Sequence, residues 1–284
     1  MSTAFRDVQL YQSEYEGFKK MYLENRKLDP AKIKSDDPDL EWFKEQMDMY
    51  KAQHDDVSGI RVKKKVGLFH VLTKKMKEHF MPSPIHCLEE IHTLLPIIAR
   101  EKNTALLDEL TTAVKKLSHS PETVEEFVEH LEFQKTINDK MEDLEARFEN
   151  IKEMYHLLYM EGIPVVQEDE LAYSTGTVPN INKLRFVLGL AEDSKDGQIN
   201  KFAQEVDGRY EGLKASLVDI SERSQHPMIA DESSDMQTCI DYVSALQEEI
   251  TAVQDLEKKY ADYQELFQVE VTQVENIYDI SMDV

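Results

Sequence analysis

Residues 121–160, PETVEEFVEHLEFQKTINDKMEDLEARFENIKEMYHLLYM, decide the fold class of this chain. Apolar residues recur here in alternating steps of four and three positions, which is the heptad pattern of a helix with one buried seam. Ser120-Pro121 is a typical helix start, and Gly162 with Pro164 ends the pattern. We therefore predict one helix of roughly 39 residues, about 58 Å long at 1.5 Å per residue. Its seam consists of Ile137, Met141, Leu144, Phe148, Ile151, Tyr155 and Leu158.

The start of this helix has two candidate positions. Thr123 and Glu126 have the spacing of a capping box, in which the threonine oxygen accepts a hydrogen bond from the main chain three residues later. A boundary at Thr123 lies three residues beyond the start at Ser120. The sequence alone leaves both positions open.

Helical periodicity also covers most of the chain before residue 121. A second helix is predicted to start at Asp37-Pro38, with the aspartate as its N-cap. Another is predicted to start at Ser83-Pro84. Pro96 lies inside it and is expected to kink or break it, because proline lacks the main-chain N–H that a helix interior uses.

Two further long helices are predicted after residue 178. The first begins at Pro179 and ends before Pro227, and the second follows Ser234 and Gln237, which again have capping-box spacing. The first contains four glycines, which we interpret as bends or as points of close packing against a neighbouring helix. These are Gly189, Gly197, Gly208 and Gly212.

The stretch 60–72, IRVKKKVGLFHVL, differs from the rest because it is β-branched and partly alternating. We expect one or two short strands here. The segment 61–77 also holds seven basic residues and no acidic one, on an otherwise acidic chain. Two interpretations remain open, a strand edge that lysines protect from pairing and a contact site for an acidic partner. The candidate contact residues are Arg61, Lys63, Lys64, Lys65, Lys74, Lys75 and Lys77.

Together these patterns predict an all-α fold, an elongated bundle of long antiparallel helices with at most a short β-hairpin near 60–72. Three segments are expected along the chain. Residues 1–56 form an N-terminal helical segment, 57–120 combine the short β-like stretch with helices, and 121–284 form a long-helix bundle.

The composition limits the classes of partner. The chain has 284 residues, 56 acidic against 33 basic side chains, and a formal net charge of −23. This balance argues against nucleic acid and against an anionic membrane surface, because both need clustered lysine and arginine. No apolar run approaches the length of a membrane span. Two cysteines, too few for a disulfide scaffold, favour a reducing intracellular compartment.

The sequence offers no catalytic or cofactor motif. The phosphate-binding pattern G-x-x-x-x-G-K-[S/T] is absent from these 284 residues, so we expect no nucleotide hydrolysis and no cofactor. His86, Cys87 and His92 are close in sequence but point in different directions on a helix, so we expect no metal site. The chain is predicted not to be an enzyme.

Four longer blocks carry a resemblance to a known family. They are CLEEIHTLLPIIAREKNTALLDEL at 87–110, TVEEFVEHLEF at 123–133, DLEARFENIKEMYHLLYMEGIPVVQEDELAY at 143–173 and YADYQELFQVEVTQVENIYDI at 260–280. They resemble the tail of axonemal dynein heavy chains, immediately N-terminal to the linker. GLFHV at 67–71 is similar to a strand of that family, and the resemblance covers about 57–280.

The resemblance implies a non-catalytic structural and assembly segment that links a motor to its cargo or to a doublet microtubule. Its implied partners are dynein intermediate and light chains, other heavy chains, or axonemal docking proteins, and its implied location is the cytoskeleton of the ciliary or flagellar axoneme. The family's motor domain and its phosphate-binding loops have no counterpart in these residues. The alternative is an unrelated helical adaptor of spectrin-like or tethering type.

Overall fold

The computed structural model describes residues 2–227 and 235–269, with side chains from residue 5 onward. Within these ranges the fold is all-α apart from one two-stranded antiparallel sheet, as predicted. The elements in chain order are α1 (Ser2–Ser13), α2 (Glu16–Asn25), α3 (Pro30–Asp36), α4 (Leu40–Ser58), β1 (Lys63–Val66), β2 (Phe69–Leu72), α5 (Lys74–Phe80), α6 (Pro82–Leu117), α7 (Val124–Met160), α8 (Gln167–Leu171), a π-helical turn (Ala172–Thr177), α9 (Val178–Ser224) and α10 (Met236–Leu266).

The chain divides into two compact units. The first unit comprises Met1–Thr111 with Glu142–Ile181, and the second comprises Thr112–Met141 with Asn182–Val284. Each unit has its own apolar core. The predicted division into 1–56, 57–120 and 121–284 stays a prediction about the chain's organisation.

The main core of the first unit lies between α4, α6 and the C-terminal part of α7. Each helix contributes side chains three or four positions apart, which is the spacing that places residues on one face. Fully buried members include Phe43, Ile91, Leu95, Met154 and Leu158. A smaller cluster in the same unit joins Val57, Ile60 and Phe80 to half-buried aromatic residues of α2 and its N-cap.

Pro96 does not break α6, so the expectation of a break at this proline is wrong. α6 has 36 residues, Pro82–Leu117, and runs through Pro96 without interruption. Ile91, Leu95 and Ile98, which surround the proline, are all buried in the core of the first unit. Burial of this face on both sides of Pro96 offsets the single main-chain hydrogen bond that proline removes.

The core of the second unit combines the N-terminal part of α7 with α9 and α10. At its centre the rings of Phe127 and Phe202 stack with centroids 4.6 Å apart, and Phe267 lies 5.4 Å from Phe127. The predicted seam of α7 is buried at Ile137 in this unit and at Leu144, Phe148 and Ile151 in the first unit. Leu158 is buried as well, whereas Met141 and Tyr155 are half-buried, so five of the seven predicted seam positions are buried.

The helix starts follow short-range chemistry. At α7 the N–H of Glu126 donates to the Thr123 hydroxyl at 3.2 Å, which selects the later of the two candidate boundaries. At α4 the cap is Asp39, whose carboxylate accepts from the Trp42 N–H at 2.8 Å, and not the predicted Asp37. Asp37 instead ends α3, where it is the C-cap in a left-handed conformation at φ +42°, so the next helix begins only after Pro38.

Two predictions after residue 178 have different outcomes. The four glycines of α9 lie in a continuous 47-residue helix, and a Cβ added at any of them meets nothing within 4 Å. The prediction of close packing at these glycines is therefore wrong, because each faces open space. The predicted capping residue Ser234 lies outside the described residues, and α10 is capped by Asp235, which accepts from the Thr238 N–H at 3.1 Å.

Candidate functional site

The predicted strand-like stretch forms a β-hairpin in the first unit. β1 pairs with β2 in an antiparallel register in which Lys64 is opposite Val71 and Val66 is opposite Phe69. Two residues connect the strands, and Gly67 holds the first of these positions at φ +54°. Glycine adopts this left-handed geometry without steric cost, and tight two-residue hairpins require it there.

The hairpin has one inner and one outer face, because side chains alternate along a strand. On the inner face Lys64, Val66 and Val71 are half-buried, and the Phe69 ring lies 5.3 Å from the ring of Phe5 in α1. The outer face is exposed at every position. It carries Lys63, Lys65, His70 and Leu72.

Lys64 is a structural residue rather than a free cation. Its ammonium group lies 4.2 Å from the centre of the Tyr11 ring and 3.6 Å from a carboxylate oxygen of Glu14. Both partners belong to or directly follow α1, so Lys64 attaches the hairpin to the N-terminal helices. Its side chain therefore contributes to the position of the hairpin more than to an open basic surface.

Two more of the seven candidates are also engaged within the first unit. The Lys77 ammonium donates a hydrogen bond to the main-chain carbonyl of Ser58. Lys74 lies 3.8 Å from Glu78, four residues later on α5, which is a weak exposed pair. Lys77 therefore holds α5 against the end of α4, while Lys74 remains mostly in solvent.

The remaining candidates form what we call the basic surface, which consists of Arg61, Lys63, Lys65 and Lys75. All four are exposed, and within the described part of the chain none of their side chains forms an ion pair. The Thr73 N–H donates to the Val62 carbonyl at 3.0 Å and its hydroxyl to the Arg61 carbonyl, so the start of α5 is held beside the start of β1. The fold therefore gathers these cations around one hairpin.

A cleft that sequence reasoning missed adjoins the hairpin. Its volume is about 390 Å³, and its cations are Arg61 and Lys64. Its only signal in the sequence is the helical spacing of the aromatic residues in 11–18, which is also typical of core or partner-facing packing. Burial raises the pKa of the Tyr15 hydroxyl, and the hydrogen bond with Tyr11 raises it further. The full lining is Tyr11, Glu14, Tyr15, Phe18, Asp56, Gly59, Ile60, Arg61 and Lys64.

The candidate metal residues of α6 do not converge. His86 is exposed, 3.9 Å from Glu90, whereas Cys87 is buried with its sulfur 3.6 Å from the Asn25 carbonyl. Burial lowers the pKa of His92 and raises that of the Cys87 thiol. Among residues 2–227 and 235–269, no three histidine, cysteine or acidic side chains form a metal-binding group.

Neither unit supplies a membrane-spanning element in its described part. None of the described helices combines the length and the apolarity that a bilayer crossing requires.

Comparison with known proteins identifies the family to which the chain is similar. Human dynein axonemal heavy chain 6 is 29% identical over 283 residues, which is 100% of this chain and 7% of that protein. The chain is similar in sequence to axonemal dynein heavy chains. Human dynein axonemal heavy chain 14 is 22% identical over 156 residues, 55% of this chain and 4% of that dynein. The chain thus spans a small part of the dynein heavy chains that it matches. No protein-family model matches it.

Proposed function

We propose that this chain is a non-catalytic structural and assembly segment of an axonemal dynein heavy chain tail. In this role it links the motor to its cargo or to the doublet microtubule and binds associated subunits. Similarity to a dynein heavy chain over the full length of the chain supports this proposal most strongly. The long helices of α6, α7, α9 and α10 supply the stiff elements that such a linking role needs.

The basic surface is the proposed contact with a partner. A concentration of cations without ion-pair partners attracts an acidic neighbour and repels the same basic surface of a second copy. Exposed charges of this kind raise the association rate more than the affinity. The proposed partners are dynein intermediate or light chains, other heavy chains, or axonemal docking proteins, within the axoneme of a cilium or flagellum.

A charge-reversal variant tests this contact. Lys63→Glu, Lys65→Glu and Lys75→Glu together change only exposed side chains of the basic surface and leave Lys64 in its contacts with α1. The control is Lys135→Glu, Lys140→Glu and Lys183→Glu, which makes the same charge change at exposed positions of the second unit. The measurement is the rate of assembly with purified axonemal dynein subunits, at low and at physiological ionic strength.

We expect the hairpin variant to assemble more slowly than wild type at low salt, with a smaller difference at physiological salt, because the Debye length is then about 8 Å. Helix content should be unchanged in both variants. Identical, salt-independent rates for wild type and the hairpin variant would contradict the proposed contact. The alternative interpretation, a lysine-protected edge, predicts that the hairpin variant self-associates.

The tail assignment has a separate test. The tagged chain is expressed in ciliated cells, and proteins that co-purify with it are identified. Enrichment of dynein subunits is the expected result. Enrichment of spectrin-type or membrane-tethering complexes without any dynein subunit would instead favour the helical adaptor. We also expect no ATP hydrolysis by the purified chain, and a turnover that a point substitution in this chain abolishes would contradict the non-catalytic role.

A further inference from the structure

The open edge of the β-hairpin is β2. Among the described residues the sheet has only two strands, so each strand has one side without a paired neighbour. β1 carries three lysines, a common protection of strand edges against further pairing. β2 has the sequence FHVL and carries none. The lysines that could protect a strand edge therefore all lie on β1, and the open edge of β2 has no such protection.

The register shows which main-chain groups of β2 face outward. Hydrogen-bonded and non-hydrogen-bonded pairs alternate along an antiparallel ladder. The Thr73 N–H donates to the Val62 carbonyl at 3.0 Å, so the bonded pairs within the hairpin are Lys64–Val71 and Val66–Phe69. The N–H and C=O groups of His70 and Leu72 consequently point away from β1, two residues apart, which is the spacing that an added strand uses.

The side chains around this edge are unusual for a surface that meets only water. Leu68 at the turn is 84% exposed and Leu72 is 71% exposed. Lys63 and Lys65 project from the same outer face, opposite Leu72 and His70 respectively. Apolar side chains beside an unpaired strand, flanked by cations without ion-pair partners, are the features of a strand-pairing surface with a charge preference.

We infer that β2 accepts an extended acidic segment of a partner protein as a third strand of this sheet. The inference rests on the proposed function, since it specifies how the basic surface holds its partner. Main-chain hydrogen bonds to His70 and Leu72 supply sequence-independent affinity. Carboxylates on the outer face of the partner strand lie within reach of the long side chains of Lys63 and Lys65, and its alternate, apolar residues lie on the inner face beside Phe69 and Val71.

Charge selects the occupant. A second copy of the hairpin, paired through β2, would place two sets of unpaired lysines on one small sheet, where like charges are unfavourable. An acidic extended segment meets the same cations with the opposite sign. The occupant is therefore an acidic strand of another protein, and dimerisation through β2 is a distinct outcome of the test.

Strand pairing at the β2 edge can be tested by removing a single main-chain N–H group. His70→Pro removes an outward N–H without removing a hydrogen bond of the β1–β2 ladder, because proline is compatible with a strand position whose N–H faces solvent. His70→Ala is the matched control, since it removes the same side chain and keeps the N–H. The probe is a blocked peptide of alternating glutamate and valine, about eight residues long, enough for one strand. A lysine–valine peptide of the same length is the control probe.

Binding to the full chain is measured by titration, and amide hydrogen exchange reports the contact residue by residue. We expect the glutamate–valine peptide to slow exchange at His70 and Leu72 in the wild-type chain, and the lysine–valine peptide not to bind. His70→Pro should weaken binding about tenfold, the effect of losing one main-chain hydrogen bond, whereas His70→Ala should bind like wild type.

Other results overturn the inference in identifiable ways. If the glutamate–valine peptide does not protect the His70 and Leu72 amides, strand addition is wrong, whether or not His70→Pro folds. A different result is that the peptide binds wild type and His70→Pro equally and fails to bind a chain in which Lys63 and Lys65 are changed to glutamate. That result would support the charged contact of the proposed function and contradict strand addition. Concentration-dependent dimerisation that His70→Pro abolishes would show that a second copy takes the edge.

Discussion

At the scale of single residues, Leu144 is the most direct test of the packing of α7. Its side chain is completely buried, in the part of α7 that belongs to the first unit. Leu144→Ala should lower the free energy of unfolding by about 2–5 kcal/mol, because it removes buried methyl groups and leaves a cavity. Leu190→Ala is the control, since Leu190 is 51% exposed on α9. An unchanged denaturation midpoint for Leu144→Ala would show that the seam does not stabilise the fold.

A second prediction at this scale concerns pH. Arg209 donates to both carboxylate oxygens of Glu125, at 2.7 and 3.3 Å, and Lys259 lies 3.5 Å away. The hydrogen bonds from Arg209 hold the pKa of Glu125 below its ordinary value. Because the pKa is lowered by folding, the pair contributes its full stability above the pKa of an ordinary glutamate, which is about 4.3. This contribution is lost as the pH falls through the lower pKa of the folded state.

Glu125→Gln should therefore lower the denaturation midpoint at neutral pH, by the equivalent of about 0.2–1 kcal/mol for a partly exposed pair. Because wild type and variant are both uncharged at this position once Glu125 is protonated, their difference should disappear in acid. Glu129→Gln is a control, because Glu129 is exposed on the same helix and forms no ion pair with any other described residue. A difference that persists at pH 2 would mean that charge is not its cause.

At the scale of the element, replacing glycine by alanine is expected to have opposite effects on stability in α9 and in the π-helical turn. Gly208 lies inside α9 with nothing within 4 Å of an added Cβ, so alanine fits there. Gly208→Ala should stabilise the chain by about 0.5–1 kcal/mol, because alanine restricts the unfolded chain more than glycine does. The measurement is the free energy of unfolding by denaturant titration.

The matched counterpart is Gly176→Ala in the π-helical turn. A Cβ at Gly176 would lie 3.0 Å from one methyl group of Leu107 and 3.2 Å from the other, so the leucine has to move. Overpacking of this kind costs about 1–3 kcal/mol, and the half-buried position of Leu107 favours the lower end. Equal stabilisation by both substitutions would show that Leu107 does not contact this turn in solution.

At the scale of the whole molecule, helix length predicts the behaviour of the chain in solution. α9 has 47 residues, which at 1.5 Å per residue is about 70 Å. A compact globule of this chain length would have a radius of gyration of about 19 Å. We expect a value clearly above that from small-angle scattering, together with a circular dichroism spectrum dominated by helix. A radius of gyration near the compact value would contradict the predicted elongated form.

The sequence alone was sufficient for features that depend on local periodicity. Leu144 and Ile151 recur at helical spacing whatever surrounds them, so an all-α fold with a buried seam in α7 could be predicted and is confirmed. The hairpin near 60–72 could also be predicted, because its β-branched residues lie on both sides of Gly67, which occupies the turn. Net charge and the basic segment follow from composition and needed no fold.

Only the tertiary structure decided which of these residues are free and which are engaged. Lys64 and Lys65 are adjacent and identical in type, yet one contacts Tyr11 and Glu14 of the N-terminal region and the other faces solvent. The Thr177 hydroxyl donates to the buried Asn103 side chain at 2.7 Å across 74 positions of sequence. Local patterns determine the period and the faces of a helix, but the contact made by each face depends on residues that folding brings from far along the chain.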